Sequence, residues 1–525
     1  MSAHPRERRH GQGSSVARSL IRRATIPSAL LAVSSLFLPP KAAAQGWTVN
    51  SAVDGLVTAS SNANHATGDA ARKDVIASVQ PSFYLVGQSG FYRVHATVGA
   101  ELVAYANATQ PNRAYPLILA NGNATLNPRF LFVDAAVSSR VAERDAYASR
   151  TDSGTTENRQ ILTTYRISPY INYDISPASS FYARHEEMYS HSNAVLAANQ
   201  LFSNTEVRLT RKPLPFGGSL EFANHTVQYS GAGDSKWSND TLKAKGDIGI
   251  AGELVFGPTL GAEHTKLFLE DHNDALYGAH LTWIPNERVS LKAEVEKRFF
   301  GVGGRLDAHH RSPFMSFALQ VERIPVTTAS SLGVGASGSN LSTFLDSILT
   351  TRFPDPAARQ AIVTDLVTSR GLQTKLQGSV DILAEYAQLQ DRAQATWMLL
   401  GSRNIIVFSI YGQRLRQLTR EGETGGGLVI ANQDNRQVGG TVSLNRRLSP
   451  QVTLDMSAVF SKIDGLGLRK GDASRDRTFR ISAVRMIAPR TGVSIGMQYT
   501  NFDSNIPGID SYRAPSAFVG MNHRF

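Results

Sequence analysis

Few residues of this 525-residue chain have the types and spacing of a catalytic or metal site. No glycine-rich phosphate loop is followed by Lys-Ser or Lys-Thr, and no His-Glu-x-x-His motif occurs. The run from Asp307 to His310 could hold a metal ion, but neighbouring residues in a loop rarely converge without further ligands. The run from His185 to Glu187 is the best position for acid–base chemistry. We expect no catalytic residue, metal ligand or cofactor.

Charged residues at mostly alternate positions are the more informative pattern. In an extended strand, alternate side chains share one face, so such residues form rows. Rows of charge along a pore set selectivity for ions or polar solutes. Their mixed signs equally allow mutual pairing that neutralises and stiffens the wall, and no single-sign ring can be assigned. The candidate lumen residues are Lys243, Lys245, Asp247 and Glu253 in one segment, and Lys292, Glu294, Glu296 and Arg298 in another.

The segments that carry these rows alternate between apolar and polar residues. From about residue 74 onward, runs such as 289–296, 452–460 and 493–499 place apolar side chains at every second position. A soluble β-sandwich has the same alternation. The small and charged residues of the polar face, however, are typical of a water-filled lumen, and segments of roughly ten residues are typical of a transmembrane β-barrel.

Two kinds of connection separate the segments. Short ones contain Pro or Gly, which supply turn dihedrals and end a strand, as at Ser449-Pro450-Gln451. Longer polar loops are predicted between them, as in outer-membrane barrels with short periplasmic turns and long external loops. These loops are predicted near 106–114, 141–159, 191–200, 230–239, 301–312, 417–435, 463–475 and 503–514.

The count of segments predicts an antiparallel up-and-down barrel of about 22 strands, within a range of 16 to 22. The interval 324–378 interrupts the pattern with helical periodicity near 341–349 and 356–372. Successive strands run in alternate directions, and counting them predicts this insert on the periplasmic side. There it could plug the lumen, contact a partner or form a long ordered turn. The last strand ends in an aromatic residue with alternating partners, which predicts an assembly signal of Phe525, His523, Met521 and Val519.

Residues 1–44 have the order of an export signal. Arg22 and Arg23 precede an apolar stretch from Ile26 to Leu38, and small residues up to Ala44 predict cleavage there. This region holds seven basic residues against Glu7 alone, so the net charge of +11 falls to +5 for residues 45–525. The remaining net charge of +5 gives little support to nucleic-acid binding. The absence of cysteine excludes disulfides and thiolate metal sites.

The chain resembles the PEP-CTERM system-associated outer-membrane β-barrel family. The matching stretches are short: 117–120, Asn127 to Asp134, Ser168-Pro169-Tyr170, the helical region near 355–372, and Gly401 to Asn404. This resemblance implies a Gram-negative barrel of undefined transport role, encoded beside exopolysaccharide and protein-sorting genes. It implies no catalytic residues.

The sequence therefore predicts one barrel over residues 45–525 in the bacterial outer membrane, not an enzyme and without a cofactor. Its expected role is a porin-like conduit in an envelope or exopolysaccharide export system. Expected partners are outer-membrane lipid, the barrel assembly machinery and other export components, with no nucleic acid. A structural barrel that docks a periplasmic or surface partner remains open, as does a hydrolase at the barrel rim.

Overall fold

The structure is a computed structural model that describes residues 46–525. It leaves out 144, 149–158, 194–198, 231–234, 268–269, 328–340, 351–352, 354–358, 360–361, 364–365, 367–385 and 420–433. The predicted export signal, residues 1–44, lies outside the described residues. So does most of the helix predicted over 356–372, although Arg359, Ile362, Val363 and Leu366 are helical.

The described chain forms one antiparallel sheet of 22 strands, which confirms the predicted fold class. The helix α1 spans Leu341–Leu349, between the fifteenth and sixteenth strands. The strands are β1 Trp47–Ser60, β2 Asp74–Gln88, β3 Tyr92–Tyr105, β4 Arg113–Asn127, β5 Leu131–Glu143, β6 Arg159–Ser176, β7 Ser179–Ser192, β8 Asn199–Arg211, β9 Phe216–Ser230, β10 Ser235–Ile250, β11 Leu254–Leu267, β12 Glu270–Asn286, β13 Val289–Arg298, β14 Gly301–Ser312, β15 Met315–Val326, β16 Gln388–Leu400, β17 Asn404–Gln417, β18 Asn435–Arg447, β19 Val452–Gly465, β20 Ala473–Ala488, β21 Thr491–Ser504 and β22 Tyr512–Arg524.

The sheet closes on itself because its first and last strands pair. β1 and β22 are antiparallel over nine registered positions, from Ala52 opposite Arg524 to Ser60 opposite Ser516. Every other strand pairs with its neighbours in the chain. A closed barrel has no unpaired sheet edge, so it satisfies the strand hydrogen bonds without water, as a lipid environment requires.

The two faces of the sheet differ in polarity. Apolar side chains such as Ile410, Ile495 and Met497 are 62–66% exposed on the outer face. Polar residues of the same strands, such as Ser409 and Gln413, point inward and are 1–3% exposed. An apolar exterior around a polar interior is the reverse of a soluble protein and the signature of a transmembrane barrel.

The two ends of the barrel differ in their connections. Ten connections of two to four residues lie at one end, here called the short-turn end, together with the start of β1 and the end of β22. The other end, here called the long-loop end, has connections of up to 61 residues. In bacterial outer-membrane barrels, the short turns face the periplasm and the longer loops face outward.

The prediction of a loop at 301–312 is wrong, because these residues form β14. Its glycines obscured the alternation, and they are required by close packing. A Cβ atom on Gly303 would lie 2.8 Å from the ring of Phe300. The true connection at this point is Phe299-Phe300. Both rings are 3–4% exposed, so the connection itself is packed inside the barrel.

The same error reversed the predicted attachment of the insert. With β14 counted as a strand, β15 runs from the short-turn end to the long-loop end, so the insert leaves the barrel at the long-loop end. The prediction of a periplasmic attachment is therefore wrong. Its helix α1, however, lies near the short turns, on the inner face of the barrel. Among the described residues, no helix is long and apolar enough to cross a membrane.

Candidate lumen site

The inner wall formed by β9, β10 and β13 carries a network of ion pairs. Nζ of Lys243 lies 2.7 Å from both carboxylate oxygens of Glu296. Two residues nearer the short turns along β10, Nζ of Lys245 lies 2.9 Å from Glu294 and 3.4 Å from Glu221. The register produces this arrangement, because these inward positions face one another across the curved wall. Four of the predicted lumen residues are thus brought together.

A second group lies nearer the long-loop end, around a fully buried carboxylate. The side chain of Glu263 on β11 is 0% exposed. Arg298 donates to it from Nε at 3.0 Å and from Nη2 at 2.7 Å, and the backbone N–H of Phe299 donates at 2.6 Å. Nη2 of Arg298 also donates to Asn239 at 2.9 Å. Arg298, a predicted lumen residue, therefore ties the wall to the connection between β13 and β14.

The remaining predicted lumen residues divide into three cases. Asp247 points inward and lies 2.7 Å from Nε2 of His280. Lys292 shares the inward face of β13 with Glu294 but is exposed. Glu253 is not a lumen residue, because β10 ends at Ile250 and the exposed Glu253 lies in the following short turn.

The network favours a stiff polar wall over a ring of one sign. Removing one partner of a buried ion pair costs about 3–5 kcal/mol, since the other charge is left uncompensated. Lys243, Lys245 and Arg298 each have a carboxylate within 3 Å, so none offers a free charge to a passing ion. The pairing that the mixed signs allowed is the arrangement found, and it leaves hydrogen-bonding polar surface along this wall.

A cluster of buried apolar side chains lies inside the barrel at its long-loop end. Val227, Trp237 and Leu267 extend inward from β9 to β11. They form one buried cluster with Phe299 and Phe300 from one connection and with Ala387 and Leu418, which flank β16 and β17. Strands that are not neighbours in the sheet are thus joined here by apolar contact, and we name these residues the loop-end cluster.

The helix α1 fills the inner face near the short-turn end. Leu341, Leu345, Ile348, Leu349 and Val363 of the insert are 0–6% exposed. They form one cluster with inward side chains of β16 and β17, namely Met398, Ile405 and Val407.

Polar contacts fix the same helix to β14 and β15. Oγ of Ser347 lies 3.0 Å from Oγ of Ser316, and its carbonyl accepts from Nη1 of Arg311 at 3.3 Å. Arg359 further stabilises the insert by donating to Asp346 at 2.7 Å. The described residues on either side of 328–340 therefore lie at opposite ends of the lumen.

Several residues of this site were not predicted from the sequence. Glu221, Glu263 and His280 supply partners to predicted residues, but they lie on other strands, and only the register brings them together. Alternation does place each on the polar face of its strand. Ser316 and Ser347 carry no sequence signal at all, because their contact joins the wall to the insert.

The runs considered for catalysis or metal binding do not form sites. His185 and Glu187 point outward and lie 3.8 Å apart, while Glu186 points inward and lies 3.6 Å from Arg166. Asp307 binds the guanidinium of Arg305, and His309 lies 3.4 Å from Oγ of Ser316. In the part of the chain that the structure describes, no three His, Asp or Glu residues could jointly hold a metal ion.

The residues of the predicted assembly signal lie at the closing seam. Val519, Met521 and Phe525 are 52–63% exposed on the outer face. The ring of His523 packs edge-on against that of Phe525 at 4.7 Å, and the N–H of Phe525 donates to Ser51 at 2.9 Å. The structure thus gives their position, and their recognition during assembly stays a prediction.

An apolar outer belt, a closed 22-stranded sheet and a polar, partly filled lumen define a transmembrane β-barrel of the outer-membrane type. No family model and no curated protein matches the chain. Solved barrels resemble it at low identity. The FrpB iron transporter of Neisseria meningitidis is 8% identical, with a TM-score of 0.48, over 92% of this chain and 82% of that one.

Two further structures have similar values. The ferric citrate transporter FecA, unliganded, is 10% identical with a TM-score of 0.47, over 91% of this chain and 79% of that one. The siderophore receptor PirA of Pseudomonas aeruginosa is 9% identical with a TM-score of 0.37, over 91% and 80%. Likeness at this level concerns the shape of the barrel alone.

Proposed function

We propose that this protein is a gated conduit for a polar solute across the outer membrane, with the helix α1 as the gate. The observation that carries the proposal is the position of α1, which is attached at the long-loop end and packed inside the barrel near the short turns. A segment that merely connected two adjacent strands would have no reason to bury five apolar side chains against the inner wall.

The polar wall supports transport of a hydrated solute. Paired charges such as Lys243–Glu296 and Arg298–Glu263 present hydrogen-bonding groups without a net field of one sign. Such a surface suits a neutral or weakly charged polar molecule better than a simple ion. We propose an exopolysaccharide or another envelope component as the cargo, in keeping with the sequence resemblance. Export through a signal cleaved near Ala44, and insertion by the barrel assembly machinery, belong to the same proposal. No catalytic role is part of it.

A disulfide between the gate and the wall tests this function. The chain has no cysteine, so Ser316→Cys with Ser347→Cys introduces a single pair where the two Oγ atoms lie 3.0 Å apart. In planar bilayers, the oxidised variant should stay closed under applied voltage, and reduction should restore openings at the wild-type frequency. Deletion of residues 330–375 should give a constitutively open channel.

A matched control locks two neighbouring wall positions without touching the gate. Oγ1 of Thr396 and Oγ of Ser409 lie 3.2 Å apart on registered positions of β16 and β17, so Thr396→Cys with Ser409→Cys should conduct alike in both redox states. The folding of the deletion variant is verified by its resistance to unfolding in cold detergent. If this folded variant shows no conductance in planar bilayers, the proposed conduit is refuted. That outcome would favour the alternative of a structural barrel that docks a partner.

A further inference from the structure

The outer face of β17 to β22 carries unusual charge at the long-loop end. Outward positions of a transmembrane barrel are apolar in the lipid and become polar only at its two borders. Here six basic side chains meet on adjacent strands, with Asp464 and Asp503 as the acidic residues among them. We name them the outer basic patch: Arg414, Arg436, Lys462, Arg475, Arg477 and Arg513.

The patch lies at the level of lipid head groups. On β20, Arg477 and Arg485 point outward and bracket the apolar positions Phe479, Ile481 and Ala483. The two arginines are eight positions apart, or about 27 Å along the strand. With a strand tilt of about 40°, the separation along the barrel axis is about 20 Å, close to the height of a lipid-facing band.

The aspartates around the patch offset only part of its charge. Asp391, Asp464 and Asp503 are directly opposite Arg414, Arg436 and Arg475 in the register, whereas no acidic residue is opposite Arg477 or Arg513. Lys462 is directly opposite Arg475, and Arg414 is directly opposite Arg436 in the register. Like charges directly opposite each other destabilise a sheet. Lys462 pairs with Asp464 at 2.7 Å. Within the described residues, the side chains of Arg475, Arg477 and Arg513 have no ion pair or hydrogen bond.

An apolar groove adjoins the patch on the membrane side. It is concave and almost entirely apolar, and the side chain of Phe479 is 53% exposed there. The alternation along β20 places Phe479 directly next to Arg477 on the outer face. The groove is lined by Val442, Ala458, Phe479, Ile481, Met497 and Tyr499.

We propose that the outer basic patch and this groove bind a phosphorylated, multiply acylated glycolipid of the outer leaflet. Phosphate groups would accept charge-assisted hydrogen bonds from the arginines, which are among the strongest polar contacts in proteins. The acyl chains would lie along the groove. An excess of cations beside an apolar surface at head-group depth favours a lipid over a free anion, because a free anion would leave the groove uncovered.

Titration of the purified full-length barrel with bisphosphorylated lipid A, followed by native mass spectrometry, tests the proposal. Replacing Arg475, Arg477 and Arg513 together by Gln should weaken binding at least ten-fold, because each cation near anionic lipid contributes about 1 kcal/mol. Replacement by Lys should largely retain it. Dephosphorylated lipid A should bind the wild type at least ten-fold more weakly, and inorganic phosphate should not compete at equal concentration.

The control variant carries Lys236→Gln and Lys266→Gln. Both are exposed, outward-facing lysines at the long-loop end of β10 and β11, half a barrel away from the patch. It should bind lipid A like the wild type. Any of three results would overturn the proposal: the control variant loses as much affinity for lipid A as the Gln variant, the Gln variant binds like the wild type, or dephosphorylated lipid A binds as tightly as the phosphorylated form. Unfolding of each variant on heating in detergent verifies that its barrel is folded.

Discussion

Replacing Glu263 by Ala should destabilise the barrel more than any single change on its exposed surface. The carboxylate is fully buried and accepts hydrogen bonds from Arg298, Asn239 and the backbone of Phe299. Its loss leaves the guanidinium of Arg298, itself 17% exposed, without its counter-charge. Breaking such a pair costs about 3–5 kcal/mol.

The free energy of unfolding can be measured by equilibrium denaturation in urea of barrels refolded into lipid vesicles. With a slope of about 3 kcal/mol per molar urea, the midpoint should fall by roughly 1 M or more. Glu263→Gln should lie between the wild type and Glu263→Ala, because the amide can still accept a hydrogen bond from the N–H of Phe299.

The matched control is Glu287→Ala. This carboxylate is 93% exposed in a short turn and lies 3.7 Å from Arg311, so its removal should cost less than about 1 kcal/mol. A loss below about 1 kcal/mol for Glu263→Ala would refute the reasoning. It would mean that water reaches this part of the lumen and solvates the charge of Arg298.

Three further changes have defined outcomes. Leu345→Ala removes a fully buried contact of α1, worth about 2–5 kcal/mol, and should raise the frequency of channel openings in bilayers, whereas Leu448→Ala in an exposed turn should leave it unchanged. Burial lowers the pKa of His65, which stacks on Tyr512 at the long-loop end, to about 4. The folded protein favours the neutral imidazole, so the free energy of unfolding should be highest above pH 6.5 and should fall by about 3 kcal/mol as the pH drops towards 4. Thermal unfolding of His65→Phe should not show this dependence on pH. The same dependence in His65→Phe would contradict the assignment. Deletion of Phe525 should slow insertion by purified assembly machinery into liposomes, while Phe91→Ala, an equally exposed turn aromatic, should insert at the wild-type rate.

The sequence predicted those features that depend on alternation within one strand. The strand count and the shared inward face of Lys243 and Lys245 follow from the alternation of apolar and polar residues, which is visible within each segment by itself. β14 was missed because glycines interrupt the alternation on both faces at the start of the strand: Gly301 and Gly303 stand at inward positions, and Gly304 at an outward position that an apolar residue would have marked. That missing strand then placed the attachment of the insert at the wrong end, because one miscounted strand reverses the direction assigned to every strand after it.

The site depended on information that is not local. Glu263 meets Arg298, 35 residues away, and Lys243 meets Glu296, 53 residues away, through a register that a pattern of polarity does not fix. Burial of α1 could not be predicted either. The sequence of the helix allows its apolar face to pack equally well against a partner protein. The complementary apolar surface is formed by β16 and β17, which are far from the helix in the sequence.

The position of the insert constrains the order in which the barrel can assemble. The seam joins β1 to β22, the first and last strands, whereas the insert leaves the sheet after β15. The helix α1 must therefore lie on the concave side of the growing sheet before β22 arrives, or be threaded through a finished ring. Closure around a helix already in place is the simpler path, so the pairing of β22 with β1 also encloses the gate. A barrel that sealed too early would leave that helix outside.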